Sequence, residues 1–129
     1  MGVGTDVLGS YKLAVAGKIG AWGEVRVFAS GTAFPDYVFA STYRLRPLSE
    51  VEAYIQQNHR LPEVPSAKEV IEKGMGLVEM QTLAVKKIEE LTLYLIEVNR
   101  QIGILKQKNT ELEAQLKRLE KQSLAKKPR

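Results

Sequence analysis

Residues 88–119, IEELTLYLIEVNRQIGILKQKNTELEAQLKRL, decide the fold of this 129-residue chain. With Ile88 placed at heptad position a, nine of the ten a and d positions that follow are aliphatic. A hydrophobic period of 3.5 residues sustained over this length predicts a parallel coiled coil, whose a and d side chains pack against other copies. These ten positions, here named the seam, are the predicted oligomer interface: Ile88, Leu91, Leu95, Val98, Ile102, Leu105, Asn109, Leu112, Leu116 and Leu119.

Asn109 is the one polar residue of the seam. A buried asparagine at an a position lowers stability, but it fixes register and alignment by pairing with its own copies. The seam mixes isoleucine with leucine at a and is mostly leucine at d, so the heptads leave dimer and trimer both open. Upstream of Ile88 the pattern stops, because Gln81 and Ala84 occupy a and d.

The helix that carries the seam is predicted to begin near Leu77 and to reach Gln122, since this span has no proline and only Gly103 interrupts its helix formers. Between Leu91 and Val98 it is apolar on nearly every side, and a helix that is apolar all round must be covered all round. We therefore expect the N-terminal segment and an aromatic loop to pack on its outside there. The basic residues 123–129 are expected to form a disordered tail.

Two short helices are predicted before the long one. Ser49–Glu52 has the pattern of a capping box, and its helix is expected to end near Asn58. Ser66–Glu69 repeats that pattern, with Gly74 as the end of the second helix. The connector Leu61–Pro65 is predicted to be stiff and extended throughout, because each proline keeps its preceding residue out of the helical region.

Residues 1–30 are glycine-rich and β-like, with short alternating segments at Tyr11–Val15 and Glu24–Phe28 that predict a small ribbon. A ribbon of this size cannot bury its own apolar face, so it must pack on another surface. The spacing of its glycines matches neither a Rossmann nor a P-loop fingerprint, and tight turns account better for Gly17, Gly20 and Gly23.

The loop 31–47 concentrates four aromatic residues, and two interpretations of them stay open. Buried rings would anchor a loop-rich head to the helices, which is the interpretation we favour because aromatic side chains dominate small cores. Exposed rings would offer a ligand surface for a receptor or glycan. The four residues are Phe34, Tyr37, Phe39 and Tyr43.

Composition argues against several classes of function. The chain has no cysteine and one histidine, His59, for which a loop or C-cap role is expected, so neither a metal site nor a cofactor is predicted. Residues 117–129 carry six basic groups and one acid, a charge of +5. Since the whole chain has a net charge of +4, residues 1–116 together carry −1. This basic end predicts a solvated tail, with no nucleic-acid partner. No apolar run is long enough for membrane insertion.

Four segments together resemble the C-terminal domain of long, repetitive tail-fibre-like and adhesin-like surface proteins of Bacteroidetes-type bacteria. They are Phe34–Phe39, Leu48–Ile55, Asn58–Ala67 and Lys87–Ile96, in the order expected. Gly2–Thr5 and Tyr11–Ile19 are similar to the last repeat of the shaft that precedes this domain. The chain departs from relatives that place histidine directly before Leu-Pro, since Arg60 follows His59 here.

The resemblance implies a homotrimeric fibre end, joined to an upstream shaft and located outside the cell or on a virion or injection particle. The predicted fold class is α+β: a small N-terminal β ribbon and a loop-rich head with two short helices, followed by a long helix in a parallel trimeric coiled coil. Its expected parts are residues 1–30, 31–75, 76–122 and 123–129. The start of the chain, without any signal pattern, is typical of a piece of a longer protein.

Three functions compete at this point. The leading one is structural trimerisation, which registers the chains and nucleates folding. The second is a receptor- or glycan-binding tip that uses the loop Phe34–Tyr43. The third is a self-cleaving peptidase of the kind found on some phage fibres. We expect no enzyme and no catalytic residue, because no Ser-Asp segment with a lysine base is present and capping explains Ser49 and Ser66.

Overall fold

A computed structural model describes residues 1–28 and 34–126 and shows a mixed α+β chain with a long C-terminal helix. The chain divides into two units, residues 1–31 and 32–129. The predicted boundary between residues 30 and 31 and the last three residues of the tail lie outside the described residues. The elements in order are β1 (Gly2–Val3), β2 (Ala14–Val15), a 3₁₀ turn (Pro35–Phe39), α1 (Leu48–Asn58), α2 (Ala67–Lys73) and α3 (Leu77–Ala125).

The first unit contains a two-stranded parallel sheet, in which Gly2 lies opposite Ala14 and Val3 opposite Val15. The prediction of a strand at Glu24–Phe28 is wrong for this structure, and the strand predicted at Tyr11–Val15 is reduced to its last two residues. The alternation in Glu24–Phe28 is real, but strand structure needs a hydrogen-bonded neighbour, and this segment has none among the described residues.

The start of α1 corrects the first predicted capping box. The helix begins two residues earlier than a Ser49 cap would place it, at Leu48, and the carbonyl of Pro47 accepts the first amide bonds, from Glu50 and Val51 at 3.0 and 3.1 Å. Ser49 is therefore already inside the first turn and makes no capping hydrogen bond. Pro47 itself lies outside the helix, with φ −56° and ψ 140°.

The other helix ends follow the sequence closely. His59 terminates α1 in the left-handed conformation (φ 53°), which confirms its C-cap role. The capping box at Ser66 is present: its hydroxyl accepts the Glu69 amide at 3.2 Å, and the Glu69 carboxylate accepts the Ser66 amide at 2.7 Å. Gly74 ends α2 at a positive φ of 69° that a side chain would disfavour.

The long helix α3 begins at Leu77, as predicted, and continues to Ala125, three residues beyond the predicted end. Its 49 residues span about 74 Å at about 1.5 Å per residue. Among the described residues, no helix combines the length and apolar character needed to cross a membrane.

Replacing Gly103 by alanine is expected to stabilise the protein. Glycine inside a helix costs about 1 kcal/mol relative to alanine. A β-carbon at this position would meet nothing within 4 Å, and heptad position b keeps it off the seam. Urea unfolding should show a gain of about 1 kcal/mol per chain. An unchanged or lower stability would contradict a continuous, outward-facing helix at this point.

Candidate oligomerisation interface

The seam is uncovered in the single chain. Its nine aliphatic side chains retain between 42% (Val98) and 68% (Leu95) of their accessible surface, and Asn109 is exposed as well. Isolated exposed leucines are ordinary, whereas a continuous apolar stripe along more than four heptads is a candidate interaction surface. Every predicted interface residue therefore lies on one exposed face of α3.

The head, here residues 34–75, packs on the N-terminal half of the same helix. Its 3₁₀ turn contacts α3 and contains the two most deeply buried side chains of the described residues, Pro35 and Val38, with Val38 only 1% exposed. Pro62 is buried as well. The head is thus held by a small apolar contact on α3. The prediction of an extended connector is wrong here, because Leu61–Val64 form a turn in which the Val64 amide donates to the Leu61 carbonyl at 3.2 Å and Glu63 has a φ of 66°.

An ionic network surrounds that contact. Glu63 accepts hydrogen bonds from Lys86 (2.7 Å) and from Lys87 (3.0 Å), and Lys87 also bonds Glu90 at 2.8 Å. The Tyr43 hydroxyl donates to the second carboxylate oxygen of Glu90. The side chains of Lys86, Lys87 and Glu90 are only 13–15% exposed, so the Lys87–Glu90 pair is shielded from water more than an ordinary surface pair. Glu63 is 50% exposed, so its bonds to the two lysines are partly solvated.

Aromatic contacts complete the attachment of the head. The Tyr94 hydroxyl donates to the backbone carbonyl of Arg46, which ties α3 to the segment before α1. The rings of Tyr37 and Tyr43 lie 5.9 Å apart, and the Lys86 ammonium lies 5.8 Å from the centre of the Tyr37 ring. Both separations are within the range of favourable aromatic and cation–π contacts.

The network sets the protonation of its members. Burial raises the pKa of Glu63, but hydrogen bonds from Lys86 and Lys87 and their positive charges outweigh burial and hold that pKa below its usual range. Burial lowers the pKa of Lys86, and the Glu63 carboxylate reverses this, so the net pKa is raised. Burial, followed by the bond to Glu90, raises the pKa of Tyr43, which therefore remains a hydrogen-bond donor.

The attachment of the head is expected to weaken in acid. Because the folded-state pKa of Glu63 is depressed, its stabilisation is present above the unfolded glutamate pKa of about 4.3 and disappears as pH falls below it. The opposite shift of Lys86 preserves its contribution up to about pH 10.

Melting curves should therefore show wild type more stable than Glu63→Gln near pH 7, with the difference shrinking steadily as pH falls below about 4.3. Glu52→Gln, at an exposed position without an ion pair among the described residues, is the matched control. A constant difference across this pH range would show that Glu63 does not act through its charge.

The head occupies the outer faces of α3 and leaves the seam free. Its ionic and tyrosine contacts fall at heptad positions f (Lys86), g (Lys87 and Tyr94) and c (Glu90). Leu93, an apolar f residue, is half-buried. The head of a chain therefore covers part of the apolar segment Leu91–Val98 of its own α3, while the neighbouring seam positions remain exposed.

The four aromatic loop residues do not share one environment. Tyr43 is half-buried and bonds α3, whereas Phe34, Tyr37 and Phe39 are 61%, 44% and 55% exposed in the single chain. Sequence reasoning did not foresee the buried pair Pro35 and Val38 or the ionic network. The sequence shows Lys86, Lys87 and Glu90 as charged residues on one turn of the helix. No local pattern predicts that Glu63, 23 residues before Lys86, contacts them.

Other kinds of site have little support. Among residues 1–28 and 34–126, no group of three histidine, aspartate or glutamate side chains is placed to hold a metal ion. A cleft of about 700 Å³ lies between the head and α3 and is considered below. In the same region, Glu89 has a buried Oε2 with no hydrogen-bond partner in the described part of the chain.

The fold and its surface define a small α+β protein, in which a compact head sits on a long helix with an uncovered heptad seam. Neither the protein-family models nor the curated proteins nor the solved structures compared with this chain gave a match.

Proposed function

We propose that the protein is a structural homotrimerisation module, without enzymatic activity, at the C-terminal end of a fibre-like or adhesin-like surface protein. The observation that carries this proposal is the exposed seam of α3 beside a head that is docked on the other faces. Burying apolar surface contributes about 25 cal/mol per Å², so the nine aliphatic layers of the seam supply a strong drive for association.

A parallel, in-register arrangement suits the polar residues of the helix. In that arrangement Asn109 meets its own copies, whereas an antiparallel pair would set it against an aliphatic d side chain. Lys108 at g would also lie beside Glu113 at e of the neighbouring copy, so that the charges are opposite. Three copies rather than two is the number implied by the resemblance to fibre-end domains.

A trimer of this kind would also register the chains of an upstream shaft. Helix contacts are local and form quickly, whereas the pairing of β structure along a shaft is non-local and slow. The module would therefore hold three chains side by side while the shaft folds, which makes it a folding nucleus as well as an end piece.

Truncation tests this role. A chain that ends at Ser66 lacks α2 and α3 and is expected to remain monomeric, while the full chain forms trimers in sedimentation and light scattering. Soluble trimers of the truncated chain would remove the basis of the proposal, because the β segment would then assemble without the helix.

A receptor- or glycan-binding tip is the second candidate, favoured by the exposure of Phe34 and Phe39. Exposed aromatic rings are suited to stack on sugar faces or to anchor a protein partner. Binding of the assembled protein to a glycan array, lost in Phe34→Ala and Phe39→Ala but kept in Tyr11→Ala, would support this function. Equal signals from all variants would reject it.

A further inference from the structure

We propose that the cleft between the head and α3 is a socket for the next copy of the chain, which inserts Ile96. This inference rests on the proposed parallel assembly and goes beyond it, because it gives the head an intermolecular role. The head would then contribute to the interface directly, in addition to the seam.

The cleft is open to the seam. It has a volume of about 700 Å³ and lies between the segment 43–51, the connector 61–63 and the α3 residues 86–94. Its apolar lining includes Leu48 and Leu61, which stay 51% and 42% exposed in the single chain. Leu91, a d residue of the seam, also lines the cleft, so whatever packs on Leu91 lies at its mouth.

Heptad geometry identifies which edge of the neighbour arrives there. The α3 residues Lys87 and Tyr94, which line the cleft, occupy g positions. In a parallel coiled coil the g edge of one helix lies beside the e edge of the next, five residues further along. Lys87 therefore faces Thr92 of the neighbouring copy, and Tyr94 faces its Asn99.

Ile96 is the apolar side chain on that edge. It occupies position b, outside the e edge, and in an in-register assembly it is level with the C-terminal end of the cleft, next to Tyr94. Its Cα–Cβ bond is tilted toward the helix N-terminus, which brings the side chain toward the cleft. In the single chain it is 51% exposed, although it lies at an outer heptad position where a polar side chain is expected. Ile96 of the neighbouring copy therefore has the position and chemistry to occupy the apolar part of the cleft, beside Leu48 and Leu91.

A matched pair of substitutions tests the socket. Ile104 is also an outer isoleucine, 48% exposed, but it lies at position c beyond the cleft. At equal protein concentration, Ile96→Ser should lower the melting midpoint of the assembly by roughly 5 °C or more, and Ile104→Ser by no more than about 1 °C. Equal shifts in the two variants would overturn the inference.

Cross-linking tests the contact itself, because the chain has no cysteine and each introduced thiol is unique. Leu48→Cys, carrying a mass tag, is mixed with Ile96→Cys, unfolded, refolded together and treated with a short bis-maleimide. The expected main product is a mixed dimer that joins the two variants. Only like-with-like products, or none, would overturn the socket.

Light scattering on the same untreated samples separates the two levels of the argument. Trimers without a mixed cross-link would reject the socket and leave the trimerisation module standing. Monomers with native helical circular dichroism would reject both.

Discussion

Replacing Ile102 by aspartate is expected to convert the assembly into monomers. Ile102 is an a residue in the middle of the seam, and in a trimer three copies of it would meet in one layer. Each substitution removes about 1.5–3 kcal/mol of apolar burial. It also leaves a charge that costs several kcal/mol to desolvate. The sum over three chains exceeds about 10 kcal/mol, enough to prevent assembly at micromolar concentration.

Ile104→Asp is the control that makes this test sharp. Ile102 and Ile104 are 45% and 48% exposed in the single chain, so a protein that stayed monomeric would respond alike to both changes. Position c points away from the seam, and Ile104→Asp should therefore remain assembled in light scattering. Equal loss of assembly in both variants, or assembly of Ile102→Asp, would show that the seam is not the interface.

Replacing Val38 by aspartate is expected to detach the head from α3. Val38 is 1% exposed, and the change both removes its burial and leaves an unpaired charge, at a cost of about 4 kcal/mol or more. The ionic network around Glu63 depends on the docked head and should be lost with it. Hydrogen exchange would report faster exchange of backbone amides in residues 34–47.

Phe39→Asp is the matched control for the head, since this ring is 55% exposed and lies in the same 3₁₀ turn. It should leave hydrogen exchange of the loop nearly unchanged. If Val38→Asp exchanged like wild type, the buried contact of the turn with α3 would not be what holds the head. If Phe39→Asp also released the loop, its ring would be covered in the assembled protein.

The features that the sequence predicts well are those with a local cause. The start of α3 at Leu77 follows a Gly-Met-Gly break, and the capping box at Ser66 needs only residues three apart. The heptad period predicts which residues share one face of α3, because every third or fourth residue of a helix returns to the same side. The apolar face of α1 stops after Ile55, which predicts the end of the helix near Asn58 and a cap at His59.

The features that the sequence did not predict depend on partners far away in the chain or on local patterns that the structure overrides. Glu63 meets Lys86 only because the connector folds back on α3, and sequence separation hides such pairs. Ser49 fits a capping box, but the helix begins two positions earlier, after Pro47, and the local pattern does not show why. Glu24–Phe28 alternates like a strand, yet a strand exists only where a neighbour accepts its hydrogen bonds.

The molar mass of the full chain in solution tests the central claim most directly. Light scattering coupled to size-exclusion chromatography, over a range of concentrations, should give three times the 14.4 kDa of one chain. A mass of one chain that persists to high micromolar concentration would contradict the interpretation of α3 as an oligomerisation helix.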